Sequence, residues 1–280
     1  MILIAESGAT KTQWAVVNDD NTNFLFDTQG INPFFLTVNE LSNLLYTEFP
    51  TAVKEMFIDK VYYYGAGCHS TVNKSLISEG VKSILPYAEV EVQSDLLAAA
   101  RALYKHNEGI AAILGTGSNV CLYDGLKITS SIKSLGYVLG DEGSGAYIGK
   151  QVLTSFLLGE LPSELASSFQ AQYPFTLDQF LQGVYKSEFP SRYLGQFCQF
   201  ASANQEHPYL ALLVKKAFLK FYTVMVSQLP FTTKHAIGFV GGVANGFRNL
   251  LEECTHDQGF ESPMILKNCL QQLVNYHCNE

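Results

Sequence analysis

The pattern that most constrains this chain occurs twice. Residues 2–27, "ILIAESGATKTQWAVVNDDNTNFLFD", read as an apolar strand, an interruption rich in hydroxyls and small residues, a second strand and a third. Residues 110–132, "IAAILGTGSNVCLYDGLKITSSI", repeat that order: an apolar strand, a Gly-Thr-Gly-Ser interruption, a second strand, an Asp-Gly turn and a third strand. The segments share little identity, so the repeat is one of pattern. In the first, the strands are Ile2 to Ala5, Gln13 to Asn18 and Asn23 to Asp27. A chain that makes the same β-meander twice is expected to form two related lobes with a cleft between them.

The elements after each meander set the class as α/β. Thr37-Val38-Asn39-Glu40 has capping-box spacing and opens a helix through Leu41, Leu44 and Leu45. A strand at Lys60 to Tyr64 ends at Gly65-Ala66-Gly67, and a helix with Leu76, Ile77 and Ile84 leads to a strand at Ala88 to Val92. Asp95 then caps a helix through Leu96, Ala98, Leu103 and Tyr104. The stretch 144–235 reads as helical and is divided by Pro162, Pro174, Pro190 and Pro208. A strand at Ala236 to Val240 runs into Gly241-Gly242 and a helix around Phe247 to Cys254, and an amphipathic helix covers Leu266 to His277. The expected division is 1–107 for the first lobe and 108–263 for the second.

Composition narrows the partners. The net charge of −8 and the absence of clustered Lys and Arg argue against nucleic acid, although an anionic small ligand can still be held by backbone N–H groups, helix ends or a cation. No apolar run approaches the ~20 residues of a membrane helix. Glu6 interrupts the place where a signal peptide would continue its apolar core, so a cytoplasmic protein without a membrane partner is expected. The six cysteines lie far apart, without zinc-type spacing, and read as reduced, mostly buried thiols. Trp14, Tyr62 to Tyr64 and the Phe-rich helical stretch read as core.

The interruptions carry the chemistry. A turn between adjacent strands can aim successive N–H groups at one spot and so cradle an anion, provided side chains leave the approach open. Gly8 and Ala9 do so, while Thr10, Lys11 and Thr12 add hydroxyls and a cation; Gly115, Thr116, Gly117 and Ser118 offer the same features. Each turn alone is equally an ordinary hairpin. Two at equivalent places in two repeats suit a polyphosphate gripped from both sides.

The chain resembles the acetate-kinase, sugar-kinase, Hsp70 and actin superfamily of ATP-binding proteins. Within it, the similarity is to the branch of N-acetylglucosamine kinases and of ATPases related to benzoyl-CoA reductase and hydroxyacyl-CoA dehydratase activators. Glu6-Ser7-Gly8-Ala9-Thr10-Lys11-Thr12 stands where that branch has Asp-Gly-Gly-Gly-Thr-Lys-Thr, its first phosphate loop. Leu114-Gly115-Thr116-Gly117-Ser118 resembles the second loop, and Val240-Gly241-Gly242-Val243 the adenosine-contacting segment. Leu139-Gly140-Asp141-Glu142-Gly143-Ser144-Gly145 carries the branch's characteristic Gly-Asp-Glu-Gly-Ser string.

The resemblance implies a duplicated, two-lobed ribonuclease H-like fold, with the last helix (about 264–280) packed back on the first lobe and a helical insertion (about 144–235) in the second. It implies a kinase that uses ATP and Mg²⁺ to phosphorylate N-acetylglucosamine or a related amino sugar at its 6-hydroxyl, giving ADP. Asp95 would be the general base, Glu6 the metal-holding carboxylate, and Asn32, Asp141, Gly143 and Ser144 the sugar contacts. Plainer readings stand beside these: Asp95 as a helix cap, Asn32-Pro33 as a turn, Asp141-Glu142 as a solvated helix start. Two departures bear on activity, Glu6 where the family has Asp, and Tyr137 in place of the usual Trp before Gly140. Other readings of the same fold are a non-catalytic sugar or nucleotide sensor and an activating ATPase of a radical dehydratase. A homodimer is left open.

Overall fold

Alternation of side chains along the opening strands gives each strand two unlike faces. β1 (Ile2–Ser7) pairs antiparallel with β2 (Lys11–Val17), and β2 with β3 (Asn23–Gln29). The computed structural model describes residues 1–8, 11–18, 23–232 and 235–278. α1 (Val38–Glu48) and α2 (Thr51–Glu55) lead to β4 (Lys60–Gly65), parallel to β1. α3 (Thr71–Lys82) leads on to β5 (Glu89–Ser94), parallel to β4, and α4 (Asp95–Tyr104) comes next. The sheet order is β3-β2-β1-β4-β5.

The second meander is β6 (Glu108–Leu114), β7 (Ser118–Asp124) and β8 (Ile128–Ser131). Helices α5 (Gly136–Leu139), α6 (Gly145–Leu157), α7 (Ser163–Gln172), α8 (Leu177–Lys186), α9 (Pro190–Ala203) and α10 (Pro208–Val224) precede β9 (Ile237–Val240), which lies parallel to β6. α11 (Gly242–Gly246) and α12 (Arg248–Asp257) carry the chain to β10 (Met264–Leu266), parallel to β9, and α13 (Leu270–Cys278) ends the described chain. The order β8-β7-β6-β9-β10 repeats that of the first sheet strand for strand. The repeated pattern in sequence is therefore a duplicated α/β fold in two lobes.

The chain divides into one unit of Met1–Asn107, Gly125–Lys127 and Asn268–Glu280, and another of Glu108–Asp124 and Ile128–Lys267. In the first, Leu3, Ala5, Trp14, Val16, Val61 and Tyr63 form a core with α1 and α3. α1 starts as its spacing requires: Thr37 Oγ1 accepts from Glu40 N, and Glu40 Oε2 accepts from Thr37 N. In the second unit an aromatic core centred on Phe169 holds the helices together, and Pro190 and Pro208 occupy the first turns of α9 and α10. No disulfide joins the six cysteines, all of them among the described residues, and only Cys278 is more than slightly exposed. Burial pushes the Cys68 and Cys198 thiols up to about 12. Among the described residues no helix is long and apolar enough to cross a membrane.

Several boundaries differ from the sequence reading. α3 stops at Lys82, so Ile84 lies beyond it, and α5 is a short helix outside the expected elements. Leu266 belongs to β10 rather than to the last helix, because a short apolar Met-Ile-Leu run pairs with β9 before the helix begins. Capping of α4 falls to Ser94, whose hydroxyl accepts from Leu97 N, and Asp95 becomes the first helical residue.

The other face of the first sheet meets α4 and α13. There Arg101 donates to the Tyr64 hydroxyl at 2.6 Å, and that hydroxyl lies 2.8 Å from His277 Nε2. Arginine can only donate, so Tyr64 accepts from it and donates its own proton to Nε2, which makes His277 neutral with its proton on Nδ1. Burial, aided by Arg101 and Lys60, pushes the imidazole down to about 4. An unfolded histidine titrates near ~6.5. Stability from this arrangement is thus present above pH ~6.5 and is lost as pH falls toward 4. Substituting His277→Phe should flatten the fall in stability between pH 7 and 4.5 by on the order of 2 kcal/mol, measured by urea unfolding at each pH. Equal slopes in both proteins would show that His277 is not held neutral.

Candidate active site

In the first unit the candidate residues gather where β1 and β5 end and β2 begins. Leu3, Ala5 and Ser7 share the face toward α1 and α3, so Ser7 turns inward at the strand end. Its hydroxyl meets Thr12 Oγ1 at 2.7 Å and bridges to Ile31, donating to its carbonyl and accepting from its N–H. Thr12 is fully buried, and its hydroxyl is used by Ser7 and by the carbonyl of Gln29. The Thr12 hydroxyl thus serves the core face beside Trp14 and is turned away from solvent. Gly8 N donates to Lys11 O at 3.0 Å, closing the strand connection. Lys11 is exposed and pairs with Asp27 across β2 and β3 at 3.1 Å. Ala9 and Thr10 lie outside the described residues.

Ser7 also fixes the approach of Asn32 through Ile31. Asn32 Oδ1 accepts from Phe34 N at 3.1 Å, and its carbonyl accepts from Phe35 N. The turn expected of Asn-Pro is present, and it uses one oxygen of the side chain proposed to meet a sugar.

Asp95 begins α4, with Oδ1 accepting from Leu96 N at 2.9 Å. Its carboxyl is partly buried, and that burial raises it above the ordinary aspartate range, while His69 pulls it back. A carboxylate shifted upward is better matched to taking a proton near neutral pH.

Glu6 lies on the opposite face from Ser7, as alternation requires. Its Oε2 accepts from Cys269 N at 2.8 Å and Leu270 N at 3.0 Å, at the start of α13. Burial raises its carboxyl, the two N–H groups oppose that rise, and Asp95 adds to it. Among the described residues no group of three or more His, Cys, Asp or Glu is placed to hold a metal ion. With one oxygen committed to two N–H groups, Glu6 does not fit the metal-holding role expected of it.

In the second unit two separate motifs, the second turn and the 139–145 string, are joined by direct bonds, and a third lies against β6. Gly115 N donates to Gly117 O at 3.0 Å, closing the second turn. The start of α6 then docks on this turn, with Gly145 N donating to Gly115 O at 2.8 Å and Ala146 N to Thr116 O at 3.1 Å. Asp141 faces it from the other side: its Oδ1 accepts from Ser118 N at 3.3 Å, and a Cβ on Gly117 would stand 3.1 Å from Oδ2. Gly241, at φ +130°, lies so close to β6 that a Cβ there would come within 2.3 Å of Leu114 O. Gly241 N donates to Leu266 O, and Gly242 is open.

Asp141 is 8% exposed and has φ +59°, a conformation uncommon outside glycine. It is not the solvated helix start that its neighbour Glu142 suggested. Burial raises its carboxyl, and the Ser118 N–H opposes the rise. Ser144 is 0% exposed, and its hydroxyl accepts from Tyr147 N as the cap of α6. Ser144 thus shapes the wall beside Asp141 through its backbone, with its hydroxyl turned inward. Gly143 is buried beside Phe221 and likewise shapes the loop from within.

The bonds from Cys269 and Leu270 to Glu6 and from Ser118 to Asp141 carry no mark in the sequence. All involve backbone N–H groups, which leave no residue signature.

No protein-family model and no curated protein matches the chain. Among solved structures, a protein from Porphyromonas gingivalis provisionally named N-acetylglucosamine kinase is 37% identical over 100% of this chain and 99% of its own, with a TM-score of 0.95. A similarly named protein from Chromobacterium violaceum shares the fold at 14% identity, covering 100% of this chain and 98% of its own with a TM-score of 0.74. A Streptomyces griseus glucokinase of the ROK family, solved with glucose and AMPPNP, shares it at 15% identity, 98% and 97% coverage and a TM-score of 0.52. The full-length match at 37% identity, on a fold duplicated strand for strand, makes this chain a member of the N-acetylglucosamine kinase-like family of the acetate-kinase, sugar-kinase, Hsp70 and actin superfamily.

Proposed function

We propose that this protein is an ATP-dependent sugar kinase that phosphorylates N-acetylglucosamine or a related amino sugar at its 6-hydroxyl. The observation that carries the reading is the joining of the second glycine turn to Asp141 and to the start of α6. An acid held almost buried, in an uncommon backbone conformation, against a phosphate-type turn spends one oxygen on Ser118 N and suits a polyol hydroxyl with the other. A pocket of about 540 Å³ adjoins it, lined by Ser118, Ser130, Ser131, Lys133, Asp141 and Glu142 among others. Its size takes one amino-sugar ring, and serines and charged groups stand along a wall that Ile132, Leu135, Leu139, Val224 and Met225 make largely apolar.

In this reading the backbone N–H groups of Thr116 and Gly117 in the second turn meet phosphate oxygens, and Gly241-Gly242 lets the nucleotide approach the backbone. Asp95 takes the proton from the 6-hydroxyl as that oxygen bonds to the γ-phosphorus. The bond from the γ-phosphorus to the bridging oxygen breaks, and ADP leaves with its electron pair. Mg²⁺ would supply phosphate charge neutralisation, and Glu6, with an oxygen committed to Cys269 N and Leu270 N, does not fit as its ligand. The similarity to the Porphyromonas gingivalis protein supports the same substrate class.

A coupled ADP-release assay over amino sugars and hexoses tests this. Turnover with N-acetylglucosamine well above that with glucose, with phosphate on O6 by NMR, is expected. ATP binding without sugar-stimulated ADP release would overturn the kinase reading in favour of a sensor.

A further inference from the structure

We propose that Glu6 is a positioning residue that fastens the start of α13 to the end of β1, in place of the metal-holding duty its position carries in the family. Alternation along β1 aims residue 6 at the face covered by α4 and α13. There a single carboxylate oxygen receives the N–H groups of Cys269 and Leu270, two of the donors that a helix start leaves unpaired. A negative charge at this end of a helix is also favoured by the helix dipole. Cys269, just before the helix, is not a residue type that caps with its own side chain.

Side-chain length decides between Glu and Asp. An aspartate would end one carbon–carbon bond earlier, about 1.5 Å short. From the observed 2.8 and 3.0 Å, that retreat takes both contacts beyond hydrogen-bond range. The departure at position 6 is thus the change that lets β1 reach the helix.

The location gives the contact its consequence. The chain re-enters the first unit at Asn268, so the bonded N–H groups are among the first of the returning segment. α13 packs on α4, whose first residue is Asp95, and the charges of Glu6 and Asp95 act on each other. Holding the start of α13 therefore helps to hold Asp95.

The test compares Glu6→Asp, Glu6→Gln and Glu6→Ala in the full chain, by amide hydrogen exchange of residues 268–278 and by the Mg²⁺ concentration that half-saturates ATP binding in calorimetry. Glu6→Asp and Glu6→Ala should speed exchange there by roughly tenfold or more, as expected for two lost charge-assisted bonds. Glu6→Gln, which keeps an acceptor at the right length, should fall between them and the wild type and supplies a folded reference. The Mg²⁺ midpoint should move less than about twofold, well under the tenfold of a lost ligand. Unchanged exchange in Glu6→Asp and Glu6→Ala, or a Mg²⁺ midpoint raised tenfold in Glu6→Gln with exchange intact, would overturn the proposal. The exchange measurement needs no turnover, so it stands apart from the kinase reading.

Discussion

Replacing Asp95 by Asn should lower the rate of phosphoryl transfer by about 10²- to 10⁴-fold while leaving ATP affinity within severalfold. Asparagine has the same shape and can still accept from Leu96 N, the one side-chain bond that Asp95 makes within its own helix. It cannot take a proton. The loss should therefore appear in kcat, with the sugar KM little changed. Stability should hold or rise, because removing a partly buried carboxylate also removes its repulsion of Glu6. In the wild type, the acid limb of the rate profile should lie above the ~4 of an ordinary aspartate, since burial raises this carboxyl. Stopped-flow or coupled ADP release, together with calorimetric ATP binding, measures both halves. Full turnover in the variant would remove Asp95 from the mechanism.

Truncating Phe169 to Ala should destabilise the second unit by about 3–5 kcal/mol, the cost of removing a large buried ring and leaving a cavity. Phe169 is fully buried in α7 and packs against Phe156, Tyr173, Phe180, Phe197 and Phe200 with ring centroids 4.5 to 6.2 Å apart. Rings from α6, α8 and α9 thus meet at one side chain, and no single neighbour can fill its place. The single tryptophan, Trp14, lies in the first unit. Urea unfolding followed by helical circular dichroism should therefore shift strongly in the variant, while the tryptophan signal reports the first unit by itself. Tyr185→Ala, at a side chain 79% exposed, should change stability by no more than about 0.5 kcal/mol. A shift under 1 kcal/mol for Phe169→Ala would mean that the helices repack around the loss.

Local sequence determined the two meanders, the capping box at Thr37 and Glu40, the helix starts at Pro190 and Pro208, and the glycine turn at Gly115 to Ser118. Each depends on neighbours a few residues apart, through strand alternation, reciprocal capping or a fixed proline φ. Tertiary structure decided what each exposed-looking group would meet. Alternation assigns Glu6, Ser7 and Thr12 to faces, but only the packed sheet reveals that Thr12 faces the core beside Trp14 and that Glu6 faces the start of α13. Ser144 and Ser94 look like open hydroxyls in a string of letters, and the fold uses both as caps. β10 is hidden in the sequence because three apolar residues carry no periodicity, and a parallel neighbour far back in the chain makes them a strand. The distinction is one of range: bonds closed within a turn leave their mark in residue spacing, whereas bonds between backbone N–H groups and side chains hundreds of residues apart exist only once the chain has returned on itself.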